Sequence, residues 1–428
     1  MSDDTTKLVP PPLKNDCFSL PPGVDWAPVD QAHALLKDRL TTVVGIEIVP
    51  LDQALGRILA SSVTAPRANP PQANTAVDGY GVAAANLGTG THSLPLVDGR
   101  SAAGAPYDGH VPAGHAIRVL TGASIPDGVD TVVLQEDVTR GEIGGKAQIA
   151  FNGPLKPGAN TRKAGEDAKQ GAEILPAGRM ITPADLALLA ATGVSVVSVR
   201  NRLRVAVIST GDELAEAGTM AASHQIYDAN RPMLLAMIEQ FGFTPVDMGR
   251  APDDRDALRA ILDQAATLAD VILTSGGASA GDEDHVSALL SETGSMALWR
   301  IAIKPGRPLA LAVWNGAPVF GLPGNPVAAM VCTLMFARPA MGVLAGQGWF
   351  MPEPLMLPAA FEKNKKAGRR EYLRARLRGG CVEVFASEGS GRVSGLSWAE
   401  GLVDLPEEAM EISKGTLVRY IPYVAFGL

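Results

Sequence analysis

The chain has 428 residues, a hydrophobic fraction of 46% and a formal net charge of −8. That length is too great for one simple core and predicts roughly two to four domains. The composition excludes wholesale disorder, and an acidic balance with no sustained basic stretch argues against a nucleic-acid-binding protein.

Residues 1–24 are polar and carry Pro10, Pro11, Pro12, Pro21 and Pro22, which predicts a mostly disordered tail. No apolar core follows the acidic start Met1-Ser2-Asp3-Asp4, so no signal peptide is expected. Helical spacing appears at 29–40, through Ala32, Leu35, Leu36 and Leu40, and at 51–60, through Leu55, Ile58 and Leu59. Between 64 and 162 glycine and proline become frequent and apolar runs shorten to strand length, as at 117–120 and 131–134, which predicts a β-rich domain. At 181–193, Thr182 is placed as N-cap, Pro183 as the first helical residue and Gly193 as the stop. The segments 25–63 and 163–200 then read as one small helical linker domain into which the β-rich domain is inserted.

Residues 201–345 alternate strand and helix. Strands are expected at 203–208, 244–248, 271–274, 309–313 and 318–321, and helices at 232–241 and 254–269, which makes a doubly wound α/β domain. The longest apolar stretch, near 327–337, is bounded by Pro326 and Pro339 and is too short to span a bilayer. Residues 346–428 hold short alternating runs such as 417–420 and predict a C-terminal β domain. The basic run Lys363-Asn364-Lys365-Lys366-Ala367-Gly368-Arg369-Arg370 reads as a loop facing solvent or an anionic ligand. Three scattered cysteines, Cys17, Cys332 and Cys381, make neither a disulfide framework nor a metal pattern. They fit a reducing compartment. The expectation is an α/β multidomain protein in the cytoplasm, with no membrane and no nucleic acid as partner.

Three glycine-bearing loops follow apolar strands: Ser209-Thr210-Gly211-Asp212-Glu213, Ser275-Gly276-Gly277-Ala278-Ser279-Ala280-Gly281 and Gly321-Leu322-Pro323-Gly324-Asn325-Pro326. Strand–glycine turn–helix units put such loops at one edge of a parallel sheet, where open α/β folds bind ligands. Small residues, hydroxyls and free amides there suit an anion. The first loop reads equally well as a βα turn with Asp212 capping a helix. The acidic residues Asp282, Glu283 and Asp284 after the second loop suit a divalent cation beside a phosphate, or a helix cap. Lys304 and Arg307 lie on a proline-flanked loop and are natural partners of a phosphate or other oxyanion. Asn230 reads as an N-cap, which leaves Asp228 for a metal or for hydroxyls. In the β-rich domain, Asp78-Gly79 is a hairpin turn or part of a polar cleft with Thr121 to Gly128 and Gln135-Glu136-Asp137. His285 is the one histidine inside a motif, and no Cys/His zinc cluster exists.

In this order the motifs resemble the molybdopterin molybdenumtransferases, the molybdenum-insertion enzymes of molybdenum cofactor synthesis, which are related to the C-terminal domain of gephyrin. The matching residues are 74–80, 121–128, 132–136, 162–167, 209–214, 226–231, 275–284, 303–308 and 321–326. The resemblance covers about 20–330 well and the C-terminal domain loosely, through Gly368 to Tyr372 and Gly401-Leu402. It implies four domains, a homodimer, and a site shared by the α/β domain of one subunit and the β-rich domain of the other. It also implies adenylylated molybdopterin and molybdate as substrates, AMP as a product, Mg2+ as the divalent cation, and contacts with a molybdopterin adenylyltransferase and client molybdoenzymes.

Carried onto this chain, the resemblance makes Asp78, Thr121, Asp228 and Asp284 the catalytic residues, with Asp228 and Asp284 also on the metal. Thr210, Gly211, Glu213, Ser275, Gly276, Gly277, Ser279, Lys304, Arg307, Pro323, Gly324 and Asn325 would hold the pterin phosphate and adenylate. The chain departs from the family at Ala73 and Thr75, where an acid and Ser are usual, at Val77 for Met and Gly81 for Ala, and at Arg300 and Arg307 for Lys. The last two keep charge but change geometry. A second reading on the same fold is a non-catalytic molybdopterin-binding or delivery scaffold, which Ala73 favours. The retained Asp78, Asp228 and Asp284 favour the enzyme. A third reading, a general nucleotide-binding α/β enzyme, is disfavoured by the order of the motifs.

Overall fold

The computed structural model describes residues 26–276, 285–292, 301–306 and 310–428. The expected tail at 1–24 lies outside the described residues. The chain forms two compact units, one of Met1–Thr42, Leu203–Leu344 and Trp349–Leu428, the other of Val43–Arg202 with Ala345–Gly348.

The first unit contains the doubly wound α/β fold. Its five-stranded sheet has the order Thr244–Ala251, Arg204–Thr210, Val271–Ser275, Ala317–Leu322, Ala310–Trp314. The first four strands are parallel, and the last returns antiparallel through Asn315-Gly316. Arg204–Thr210 is buried from Val205 onward and Val271–Ser275 throughout, the pattern of strands covered on both faces. Ala206, Ile208, Ile272 and Val319 pack on Leu258, Leu262 and Ala265 of helix Arg255–Leu268 and on Leu289 of helix His285–Glu292. Asp254 caps the former helix by accepting from Ala257 N. Helix Asn230–Gln240 packs on Arg204–Thr210 and Thr244–Ala251.

Two expectations are corrected here. The first glycine loop does not lead straight into a helix. It enters a short parallel pair, Leu214–Ala215 with Ile226–Tyr227, and the helix starts only at Asn230. Asp212 is exposed and caps nothing; its amide donates to Asp253. Nor does Pro339 end the apolar helix. The helical run continues from Pro326 to Leu344, 19 residues, long and apolar enough to cross a membrane, yet 94% of its most apolar 18-residue stretch is buried inside the protein. A π turn at Thr333–Ala337 lies directly before Pro339. A wide turn there accommodates a ring and a missing N–H that would strike a regular preceding turn. Burial, not length, marks this as a core helix.

The same unit holds a six-stranded sheet with the order Ile303–Lys304, Arg370–Arg378, Gly401–Leu405, Leu417–Pro422, Leu355–Pro358, and with Cys381–Val384 on Arg370–Arg378. Its first strand comes from the α/β segment and pairs in parallel, Lys304 beside Glu371. The basic run is an exposed loop only at 366–369. Lys363–Lys365 is a strand paired with Met410–Ile412, and Lys365 is 1% exposed. Its ammonium donates to Lys366 O (3.0 Å), Glu408 O (3.0 Å) and Glu407 O (3.4 Å), while burial pulls its pKa down. Lys365→Met would take that donor from Lys366 O and Glu408 O, while Glu407 O keeps Gly368 N, and leaving a buried polar group unsatisfied costs about 1–3 kcal/mol. A net loss of about 2 kcal/mol is expected, read as a lower midpoint of thermal unfolding; an unchanged midpoint would contradict it.

The second unit carries the expected β-rich sheet, ordered Thr131–Leu134, Gly79–Val82, Ala116–Val119, Gly90–Ser101, Lys146–Gly153, Thr139–Ile143. Helix Pro183–Ala191 starts where the sequence places it, with Thr182 and Asp185 in a reciprocal capping box. The helix expected at 51–60 is absent. Only Leu51–Gln53 makes a helical turn, and Gly56 then takes a left-handed φ of 71°. The following amides bond outward, Leu59 N to Arg179 O and Ala60 N to Ser198 O. Leu51, Ala54 and Leu59 still reach the core beside Leu189 and Val197, so their helical spacing reports burial rather than a helix. The strands Ile46–Pro50 and Val196–Arg200 pair here. The segments expected to form a helical linker are therefore built mainly of strands, and helix Val29–Arg39 falls in the first unit.

Candidate functional site

At the C-terminal edge of the parallel sheet the three loops meet. Ser209 lies beside Ser275, and Ser275 beside Leu322, in strand register. Thr210 is 8% exposed, and its hydroxyl donates to Ser275 O at 3.4 Å. Gly276 has φ 97°, and a Cβ there would stand 2.7 Å from Thr210 Oγ1 and 2.9 Å from Thr210 O, so no other residue fits without a shift. Gly324 approaches Gly276 closely, with 3.6 Å from its would-be Cβ to Gly276 Cα. Pro323 is buried and Asn325 half-buried beside it. Glu213 is exposed, its carboxylate folded back against Gly211.

Asn230, read from the sequence only as an N-cap, proves to be the tie between loops. Its Nδ2 donates to Ser275 Oγ at 2.8 Å and to Gly324 O at 2.7 Å. The cap itself is Asp228, whose Oδ1 accepts from Asn230 N and Arg231 N, both at 3.1 Å, and whose Oδ2 lies 3.4 Å from Arg231 Nε. Arg231 in turn pairs with Asp247 and Glu216. Both oxygens of Asp228 are thus engaged. Four buried polar atoms at this edge, Ser209 Oγ, Thr274 Oγ1, Asn230 Oδ1 and Asn325 Oδ1, lack a partner among the described residues. Such atoms are costly unless a ligand or water meets them. Gly277, Ser279, Asp284 and Arg307 lie outside the described residues.

No group of three His, Cys, Asp or Glu side chains converges among the described residues. With Asp228 committed to the helix start, they do not by themselves make a site for Mg2+. Lys304 stands at the edge of the C-terminal sheet, half-buried between Glu371 and Glu388.

In the second unit the polar segments expected to share a cleft come together. Asp78 Oδ1 accepts from Thr121 N at 2.7 Å and from Thr121 Oγ1 at 2.6 Å. The Thr121 hydroxyl, then its amide, hold the Asp78 carboxyl below the usual Asp value. Gln135 N donates to Asp78 O, and Arg118 links Gly79 O to Gln135 Oε1, which neighbours Glu136. Asp78-Gly79 is not a hairpin turn; Asn74-Thr75 pairs with Thr161-Arg162, and Gly79–Val82 pairs elsewhere. Thr75, the departure from Ser, is fully buried and donates to Leu120 O at 2.6 Å, directly before Thr121.

Comparison with known proteins finds three matching family models. They are the MoeA N-terminal region (domain I and II) over 27–193, a probable molybdopterin binding domain over 206–342, and the MoeA C-terminal region (domain IV) over 357–423. The chain is 36% identical over 402 residues to a molybdopterin molybdenumtransferase of Haemophilus influenzae, covering 92% of this chain and 98% of that one. It is 34% identical over 395 residues to molybdopterin molybdenumtransferase 2 of Mycobacterium tuberculosis, covering 87% and 93%. The molybdopterin biosynthesis moeA protein of Pyrococcus horikoshii OT3 superposes with a TM-score of 0.80 at 28% identity, over 93% of this chain and all of that one.

Proposed function

Because the chain belongs to the MoeA family of molybdopterin molybdenumtransferases, we propose that it inserts molybdenum from molybdate into adenylylated molybdopterin and releases AMP, acting in the cytoplasm as a homodimer. The observation that carries the reading is the set of unpartnered buried atoms, Ser209 Oγ, Thr274 Oγ1, Asn230 Oδ1 and Asn325 Oδ1, around the meeting point of the three glycine loops. They lie at and beside the strand ends, where an α/β sheet takes its ligand. Thr210, Ser275 and the backbone of half-buried Gly276 and exposed Gly324 suit a phosphate, and the Lys304 ammonium suits an oxyanion.

On this reading the loops bind and orient the nucleotide-linked pterin. Lys304 steadies negative charge on the entering molybdate or the departing AMP. Asp78, held ionised by Thr121, accepts from a substrate hydroxyl or faces a cation. Mg2+ would supply charge neutralisation on the phosphates, and no step is assigned to it on the described residues. A molybdopterin adenylyltransferase would supply the substrate and molybdoenzymes would take the product.

The test is molybdate-dependent AMP release from adenylylated molybdopterin by the purified chain, sedimenting at twice its 44.5 kDa mass. Tight pterin binding with no AMP release would replace the enzyme with the delivery scaffold.

A further inference from the structure

Asn230 ties the second glycine loop to the third. The first loop is held from the other flank of its strand, by the end of the neighbouring strand Thr244–Ala251. Arg250 is the register partner of Ser209 there. Its Nη1 donates to Gly211 O at 3.1 Å and lies 3.4 Å from Asp212 Oδ1. On the same segment, Asp253 Oδ2 accepts from Asp212 N at 3.0 Å. Gly211 O and Asp212 N are the two polar ends of one peptide unit, and in a trans unit they point in opposite directions. The segment 250–253 therefore grips this peptide at both ends, a guanidinium on the oxygen and a carboxylate on the N–H. Leu214 N adds a longer bond to Gly211 O at 3.3 Å, and Gln225 Nε2 reaches Asp212 O at 3.4 Å.

This loop needs side-chain support because no helix takes up its backbone directly; the helix starts only at Asn230. Gly211 has φ 130° and no side chain, so the peptide after it can turn over at little steric cost. Turned over, it would present a carbonyl oxygen where an amide had been, which repels an anion. The disturbance would also reach Thr210, whose carbonyl and hydroxyl stand so close to Gly276 that a Cβ there has no room. Misplacement of the first loop is thus passed to the second. Three exposed carboxylates, Asp212, Glu213 and Asp253, belong to this loop and its support, and Arg250 brings a positive charge among them. Its ion pair with Asp212 joins side chains 38% and 66% exposed and contributes little alone. The bond to the carbonyl of buried Gly211 is the part that fixes geometry.

We propose that Arg250 is the positioning residue of the first glycine loop. It locks the Gly211–Asp212 peptide in one orientation, so that Thr210 and Glu213 on either side keep one arrangement toward an anionic, nucleotide-linked substrate. It also offsets part of the negative charge that this substrate meets. Arg250 acts through Gly211 and not on reacting atoms, so it governs how tightly the substrate is held rather than the rate of the chemical step. The inference rests on the reading that these loops take adenylylated molybdopterin.

The experiment measures Kd of adenylylated molybdopterin for the full-length chain without molybdate, then kcat and KM of AMP release with it. Arg250→Met keeps the apolar stem and removes the donors. Kd and KM are expected to rise roughly tenfold, with kcat nearly unchanged and the unfolding midpoint as in the parent. Arg250→Lys should recover part of the loss, since an ammonium keeps the charge and can donate to Gly211 O. An arginine that merely braced the fold would lower the midpoint and would not separate KM from kcat. Unchanged Kd in folded Arg250→Met overturns the proposal, and so does a lysine variant no better than the methionine one. If Kd shifts as expected but no form of the chain releases AMP, the positioning role stands and the proposed reaction falls. If AMP is released and Kd does not shift, only the positioning role falls. A parent chain that does not bind adenylylated molybdopterin removes both.

Discussion

Asp78→Asn is expected to lower molybdate-dependent AMP release by about a hundredfold or more, with little change in the unfolding midpoint. The asparagine keeps the shape and can still accept from Thr121, so the hydrogen bonds at 2.7 and 2.6 Å have a surviving acceptor and the neighbouring backbone has no reason to move. What is lost is the negative charge. Both Thr121 bonds fall on Oδ1, leaving Oδ2 for a substrate hydroxyl or a cation. The lowered pKa also indicates the kind of role. A carboxylate held below the ordinary Asp value of 3.8 is a poor proton acceptor near neutrality and a good charge ligand. Its folded value is depressed, so its contribution to stability is present above the unfolded value and is lost only as pH falls through the lower folded one. Any acidic limb of the rate profile due to Asp78 should therefore lie below pH 3.8. Parent-like AMP release by Asp78→Asn would remove this residue from the site.

The second large effect is expected at Asn230. Asn230→Ala removes the donor shared by Ser275 Oγ and Gly324 O. The Ser275 hydroxyl is buried, and a buried polar group left unsatisfied costs about 1–3 kcal/mol, so a loss of roughly 1–3 kcal/mol in stability is expected. The functional loss should be larger than that figure suggests. The amide holds the second and third loops together, and a displacement of about 1 Å in a binding constellation costs on the order of a hundredfold. A fall of that size in kcat/KM should appear with Asn230→Ala, while Asn230→Asp restores little, because a carboxylate cannot donate to Gly324 O. An Asn230→Ala enzyme with unchanged kcat/KM would show that the loops are located without the tie.

The helix and strand framework was legible where local chemistry and burial agreed. Fully apolar runs such as Val205 to Ile208 and Val271 to Leu273 are strands, and Thr182-Pro183 starts a helix through its capping box. The three loops were legible as neighbours because parallel strands end on one edge. What sequence could not show was interaction at long separation. Asn230 reaches Ser275, 45 residues away, and Gly324, 94 away, and no local pattern marks that. Lys304 meets Glu388 across 84 residues. The spacing of Leu55, Ile58 and Leu59 satisfied a helical template for a segment whose amides bond outward to Arg179 and Ser198. A polar run with Lys363 and Lys365 looked solvated because charge alone does not reveal three carbonyls gathered around one ammonium. The assignment of roles to the site residues comes from resemblance to a family, not from their physics.

The parallel pairing of Ile303–Lys304 with Arg370–Glu371 has a consequence for how the chain can be divided. A gene fragment ending near residue 345 would look like a clean excision of the last domain, yet it would keep the outermost strand of that domain's sheet and leave the rest behind. The released piece would leave Arg370 and Glu371, at the start of the strand Arg370–Arg378, without their ladder partner, a short open edge that can stick to other chains. Asp30, on helix Val29–Arg39, also pairs with Arg370, so the front of the chain would lose an anchor in the same cut. The C-terminal region is thus covalently last but mechanically interlaced, and it should express as a stable fragment only when residues 301–306 are grafted onto it.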